Sequence, residues 1–134
     1  MLATGCATVA TAENAAGIAT LDLLEDEQVF HALDRLGETL DAALTAKAAT
    51  RPWLRWRRVG SLFWLHLTDQ DVPRCADALD ADAIDRLNRM HRPMLDRGLY
   101  LPPSAYELLF LSAAHGPDEV HALVNALAEL GDAS

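Results

Sequence analysis

Lys47 is the only lysine in this chain of 134 residues, so it is the only side chain able to form an imine with a carbonyl compound. A Schiff-base lysine needs burial or a neighbouring cation to lower its pKa. Lys47 instead ends an amphipathic run among alanines and threonines, where a solvated ammonium is expected. Ser104, Glu107, His115 and Asp118 lie close enough together to be drawn as a hydrolytic set. No G-x-S-x-G turn exposes a nucleophile, however, and these residue types read more readily as caps, turns and strand ends. Cys6 and Cys75 lack C-x-x-C spacing and make no disulfide framework. His115 and His121 are separated by Pro117 and do not share a helix face, so no metal set is expected. G-x-G-x-x-G, Walker and H-E-x-x-H motifs are also missing. The expectation is that these residues hold no catalytic group and no metal.

A second constellation is basic. Arg51, Arg55, Arg57 and Arg58 surround Trp53 and Trp56, and arginines interleaved with aromatics can hold single strands. The net charge of −9 opposes that reading, because the long-range field repels phosphate polymers and anionic membranes. An exposed strand with solvated arginines and a packed Trp56 is the simpler account. Neither nucleic acid nor membrane is expected as a partner.

The elements that would position these residues follow from periodicity. Residues 1–11 are small and polar and read as a loose lead-in, with one domain over 12–134. Ala16, Thr20, Leu23 and Leu24 share a helical face, and Glu25 to Glu27 breaks it. Val29, Leu33, Leu36, Leu40 and Leu44 mark a second helix, which should stop before Arg51-Pro52. Strands at 56–59 and 62–68 flank Gly60-Ser61, where glycine suits a type II′ hairpin turn. Both faces of the second strand are apolar, which predicts a central, covered strand. A third helix carries Ile84, Leu87, His91, Met94 and Leu95, with Pro93 expected to kink or divide it and Gly98 to end it. Extended pieces are expected at 99–101 and 107–112. A last helix opens at Gly116-Pro117, carries Val120, Leu123, Val124, Leu127 and Leu130, and closes at Gly131. The order predicts an α+β fold, with an antiparallel sheet of three to four strands and helices packed on one face.

Composition agrees with an ordinary globular chain, 51% hydrophobic and 23% charged. No apolar run reaches the roughly 18 residues of a membrane span. The first residues make a poor signal peptide, so a cytoplasmic chain is expected.

Three stretches carry a family resemblance. Ala15 to Leu24 looks like the A-A-G-L-A-T-L helix of class III (fold type I) aminotransferases, and Arg58 to Phe63 is similar to their R-V-G-S-M-F hairpin. Met94 to His115 resembles the segment M-L-x-x-G-x-Y-L-x-P-S-x-F-E-x-x-F-x-S-x-A-H of the glutamate-1-semialdehyde aminomutases within that class. The likeness runs over residues 12–130. It implies the C-terminal small domain of a pyridoxal-phosphate enzyme, which closes over a site built by a large domain and a neighbouring subunit. It further implies that Gly60 and Ser61 form a turn near the substrate entrance, and that Ser104 and Glu107 line the substrate side. The family's G-T-x-S-G-N-P segment, whose Thr reaches the cofactor phosphate, corresponds to Gly5 through Thr11. Only Gly5 and Thr8 resemble it there. Cys6 stands in place of the Thr and is a weaker hydrogen-bond donor.

The resemblance implies pyridoxal phosphate for the family and none for these residues alone, since the Schiff-base lysine of the large domain is not among them. The expected partner is a second copy or a large-domain aminotransferase chain. The alternative is a non-catalytic module that binds a partner or itself. Either way, the first helix and the Trp64 strand face are expected to leave an apolar patch uncovered.

Overall fold

The computed structural model describes residues 4–25 and 27–132, with side chains at 14–25 and 28–131. The chain divides into two compact units, residues 1–32 and 33–134.

In the first unit, helix α1 spans Thr4–Leu24. It begins ahead of Ala12, so the stretch read as a loose lead-in is helical from Thr4. The reason is permissive chemistry: Ala7 and Ala10 favour a helix, no proline interrupts, and Gly5 alone costs only about 1 kcal/mol. Ile18, Leu21, Leu23 and Leu24 are all exposed. Helix α2, Glu27–Ala48, starts in this unit and continues into the second.

In the second unit, Leu36, Leu40 and Leu44 of α2 are buried, following the three- and four-residue spacing that predicted the helix. Strands β1 (Arg55–Val59) and β2 (Leu62–His66) form the expected hairpin, with Val59 opposite Leu62. Gly60 has φ of 58° and no other residue type has positive φ among the described residues, which excludes a type I′ turn and suits type II′. Strand β3 is Leu109–Phe110, antiparallel to β2, so β2 is the central strand of three. The registers place Trp56, Arg58, Phe63, Leu65 and Leu109 on one face, and Arg57, Val59, Leu62, Trp64 and Phe110 on the other. Phe63 and Leu65 join Leu40, Leu87, Met94 and Leu127 in a single core, so the helices cover that face.

One polar knot fastens the hairpin to α2. Asp41 accepts from the Trp56 indole Nε1 and the Arg58 Nε, both at 2.8 Å, and Arg58 Nη1 donates to the Gly60 carbonyl at 2.6 Å. The guanidinium lies where a Cβ on Gly37 would stand, so a side chain there would have to displace the group that Asp41 holds.

Helix α3, Ala81–Asp96, is capped by Asp80, whose carboxylate takes the Asp82 N–H at 3.1 Å and the Thr68 hydroxyl at 2.7 Å. Pro93 neither ends nor divides it. It stands in the last turn, where the one lost bond to the Arg89 carbonyl is tolerated. The buried face is Ala83, Leu87, Met90 and Met94, whereas Leu95, expected inside, is 43% exposed. Gly98, φ 76°, closes the helix in a Schellman turn, with Leu99 N–H on the Met94 carbonyl and Gly98 N–H on that of Leu95.

The strand expected over 107–112 shrinks to β3 because the Glu107 N–H turns back to the Ser104 carbonyl and Leu111 N–H already meets the hairpin turn at Ser61. Residues 99–101 form no strand, having Gly98 on one side and two prolines without N–H groups on the other. Helix α4, Pro117–Asp132, runs through Gly131 rather than closing there. The Trp53 ring occupies the space of a Gly131 side chain and has the Arg86 guanidinium 5.0 Å from its centroid, so that glycine serves packing.

His66 is 1% exposed with an unpartnered Nδ1. Burial pushes its pKa down, opposed by the Asp80 carboxylate. The unfolded chain therefore binds a proton near pH 6.5 that folded His66 refuses, and stability falls as pH drops below that value. Asp80, held low by its hydrogen bonds, adds loss in the same direction at lower pH. Denaturant unfolding between pH 7.5 and 5 is expected to lose up to about 1.4 kcal/mol per pH unit for the His66 proton. His66→Leu should flatten that slope; equal slopes would contradict the assignment.

Candidate functional site

The segment that follows α3 forms a groove of about 520 Å³ against β2, β3 and α4. Its floor is apolar, with Phe63, Leu101, Leu111 and Val120 buried. Besides the Tyr100 phenol, two carboxylates and an imidazole line it: Glu107, Glu119 and His115. An apolar pocket with a few polar groups is the usual form of a small-molecule site.

The three are not equivalent. Glu119 Oε2 accepts the Gly116 N–H at 2.8 Å, closing the start of α4 as a capping carboxylate, and this bond is the main cause of its lowered pKa. His115 Nδ1 accepts the Ser112 N–H at 3.0 Å and lies 3.3 Å from the Ser112 hydroxyl. Because an amide N–H can only donate, Nδ1 is the bare nitrogen and the neutral ring carries its proton on Nε2. The Ser112–His115 pair thus ties a turn, and its ring nitrogen is already engaged as an acceptor. Glu107 is exposed and its carboxylate has no partner among the described residues.

Of the residues singled out from the sequence for chemistry, Glu107 and His115 line this groove. Ser104 sits in the same turn, joined to it by the Glu107 N–H at 3.1 Å, and its Oγ accepts the Tyr106 N–H at 3.3 Å. Gly60 and Ser61 lie at the hairpin turn, where the Ser61 carbonyl accepts the Leu111 N–H at 2.8 Å. That bond ties the hairpin to the 104–111 segment, but neither turn residue reaches the groove lining. Gly5, Cys6 and Thr8 fall on the first turns of α1, with side chains outside the described residues. Lys47 lies in the last turn of α2, lining neither this groove nor the one beside β1. Among the described residues no three His, Cys, Asp or Glu side chains could hold a metal, and no helix is long and apolar enough to cross a membrane. Tyr100 and Glu119 were missed from the sequence. Tyr100 carries a signal in the Y-L-x-P-S motif, while Glu119 carries none beyond its place in the first turn of α4.

An α+β sheet with helices on one face and this segment across its edge is the small-domain architecture of pyridoxal-phosphate aminotransferases. The chain superimposes on an omega-transaminase from Sphaerobacter thermophilus with a TM-score of 0.64 at 27% identity, over 78% of this chain and 24% of that one. A transaminase with PLP bound matches at 0.65 and 23% identity over 87% of this chain, a likeness of fold alone. No family model matches the chain.

In sequence, the chain is a relative of the glutamate-1-semialdehyde 2,1-aminomutases. It is 41% identical over 102 residues to that of Desulfitobacterium hafniense and 38% identical over 115 residues to that of Sorangium cellulosum. These matches take in 75% and 85% of this chain but 24% and 26% of the relatives, so the chain spans about a quarter of their length.

The His115 assignment is checked by nitrogen NMR of the neutral imidazole. Nδ1 should resonate as the unprotonated nitrogen, with the proton on Nε2; the opposite tautomer would contradict the turn described.

Proposed function

We propose that these residues are the small-domain part of an aminotransferase or glutamate-1-semialdehyde aminomutase-like protein, and that they do no chemistry alone. The observation that carries this reading is the separation of groove and amine. The one unpartnered carboxylate of the apolar groove is Glu107, while the single lysine lies in the last turn of α2 and lines neither groove described. Pyridoxal phosphate works through a lysine imine and a cation-lined phosphate site. The described residues do not fit that group by themselves.

On this reading Ser104 and Glu107 face the substrate side of a closed site, with Glu107 the contacting group. Gly60 and Ser61 hold the entrance turn. Gly5, Cys6 and Thr8 are an eroded version of the phosphate segment. The catalytic lysine comes from a large-domain chain, in the cytoplasm. A homodimer or a complex with such a chain is the working assembly, supported by the exposed Ile18, Leu21 and Leu23 of α1 and Val59 and Phe110 of the sheet. Those same residues support the second reading, a non-catalytic module that associates through its apolar surface.

The test is to add pyridoxal phosphate, reduce with borohydride and weigh the protein. The chain alone should keep its mass and turn over no amino donor, and a large-domain chain should restore both adduct and turnover. At tens of micromolar, light scattering should give a dimer or larger species. A stable Lys47 adduct with turnover would overturn the catalytic reading, and a strict monomer would overturn the assembly.

A further inference from the structure

The arginine-rich stretch has a use that the family reading leaves untouched. The structure resolves its members into different roles. Arg58 is engaged by Asp41, with its guanidinium over Gly37. Arg51 donates to the Thr50 hydroxyl at 3.0 Å. Arg55 and Arg57 remain on the outer face of β1, two residues apart and therefore side by side. Both line an open groove of about 1030 Å³, with the last turns of α2 on one wall and residues 71–78 on another. Arg74 enters from that second wall, a partner that its distance in sequence concealed.

These three guanidiniums are not neutralised. Arg58, Arg92 and Arg97 each meet a carboxylate. Arg57 instead gives one Nη2 to the Val72 carbonyl at 3.0 Å, which anchors the 71–74 segment and leaves the rest of the fork open. The Arg55 and Arg74 side chains make no hydrogen bond or ion pair among the described residues. Asp71 also lines the groove, one carboxylate against three cations, and pairs with none of them. In a chain of net charge −9, such a gathering is a local inversion of the protein's field.

We propose that this groove binds a small molecule bearing a doubly charged phosphate group. Planar guanidinium forks suit the tetrahedral oxygens of phosphate, each pair giving charge-assisted hydrogen bonds. The groove has the size of small-molecule sites, so it admits a phosphorylated metabolite as readily as the bare ion. A single strand of nucleic acid fits worse, because successive bases find one aromatic at most: Trp53 is held between Arg86 and Gly131, and Trp56, which lines the groove, has its indole N–H fixed on Asp41. A polymer would also extend past the positive patch into the surrounding negative field, whereas a compact dianion stays within about 10 Å of the arginines. This site is independent of the reading given for the Glu107 groove.

The test uses the full chain labelled with nitrogen-15, following the arginine Nε–H resonances. Pyrophosphate and a phosphate monoester are titrated at fixed ionic strength, with sodium chloride, malonate and an oligothymidylate as separate arms. Saturable shifts of Arg55, Arg57 and Arg74 are expected with both phosphates. The Arg55→Gln/Arg74→Gln double variant should bind at least about tenfold more weakly, since each lost charged hydrogen bond is worth roughly that factor. Both residues are exposed, so the variant should keep the native spectrum elsewhere. Linear shifts matching those of chloride, or unchanged affinity in the double variant, would overturn the site. Malonate binding as tightly as pyrophosphate would overturn the phosphate preference, and tighter binding of the oligonucleotide would overturn the small-molecule assignment.

Discussion

The second unit depends on one shared acceptor, the Asp41 carboxylate. Its two oxygens take the Trp56 indole and the Arg58 guanidinium, and thereby fix both inward-facing residues of β1 to a single point on α2. A two-stranded ribbon is marginal in water without a surface to pack on. Here α2 supplies that surface through Leu36, Leu40 and Leu44, and Asp41 sets which way the ribbon lies on it. Gly37 admits the guanidinium, and Arg58 reaches on to the Gly60 carbonyl, so helix, strand and turn form one hydrogen-bonded chain. Once β1 and β2 are fixed, the Ser61 carbonyl is in place to receive Leu111 and align β3.

What the groove can do follows from that order. Its walls come from the Schellman turn after α3, Pro102, and the capped start of α4. Each of those features uses its polar groups locally, which is why Ser104, Ser112, His115 and Glu119 are engaged in turns and caps. Glu107 remains as the unpartnered acid above an apolar floor. The same logic separates the basic groove, where Arg55, Arg57 and Arg74 lack the acids that Arg58, Arg92 and Arg97 find.

Much of this was readable in the residues, for stated reasons. The Leu spacing of α2, the Gly60 turn and the centrality of β2 came from local periodicity and backbone chemistry, and the structure carries all three. The Met94–His115 pattern identified the family, and the relatives found at 38–43% identity agree. Other features were illegible because they are made by distant partners. Nothing near Asp41 announces residues fifteen and seventeen positions away. Arg74 meets Arg55 only in space, and Gly131 looked like a helix stop because Trp53 is far off in sequence. Pro93 leaves α3 undivided because a proline in a final turn removes one bond and leaves the helix standing.

Asp41 and Arg58 act as one unit in holding the hairpin on α2. A double-mutant cycle with Asp41→Ala, Arg58→Ala and the pair, read by denaturant unfolding, measures it directly. The part-exposed pair should show a coupling of about 1 kcal/mol, with the double variant losing less than the sum of the singles. Strict additivity would show that the two residues act separately, and would contradict the account.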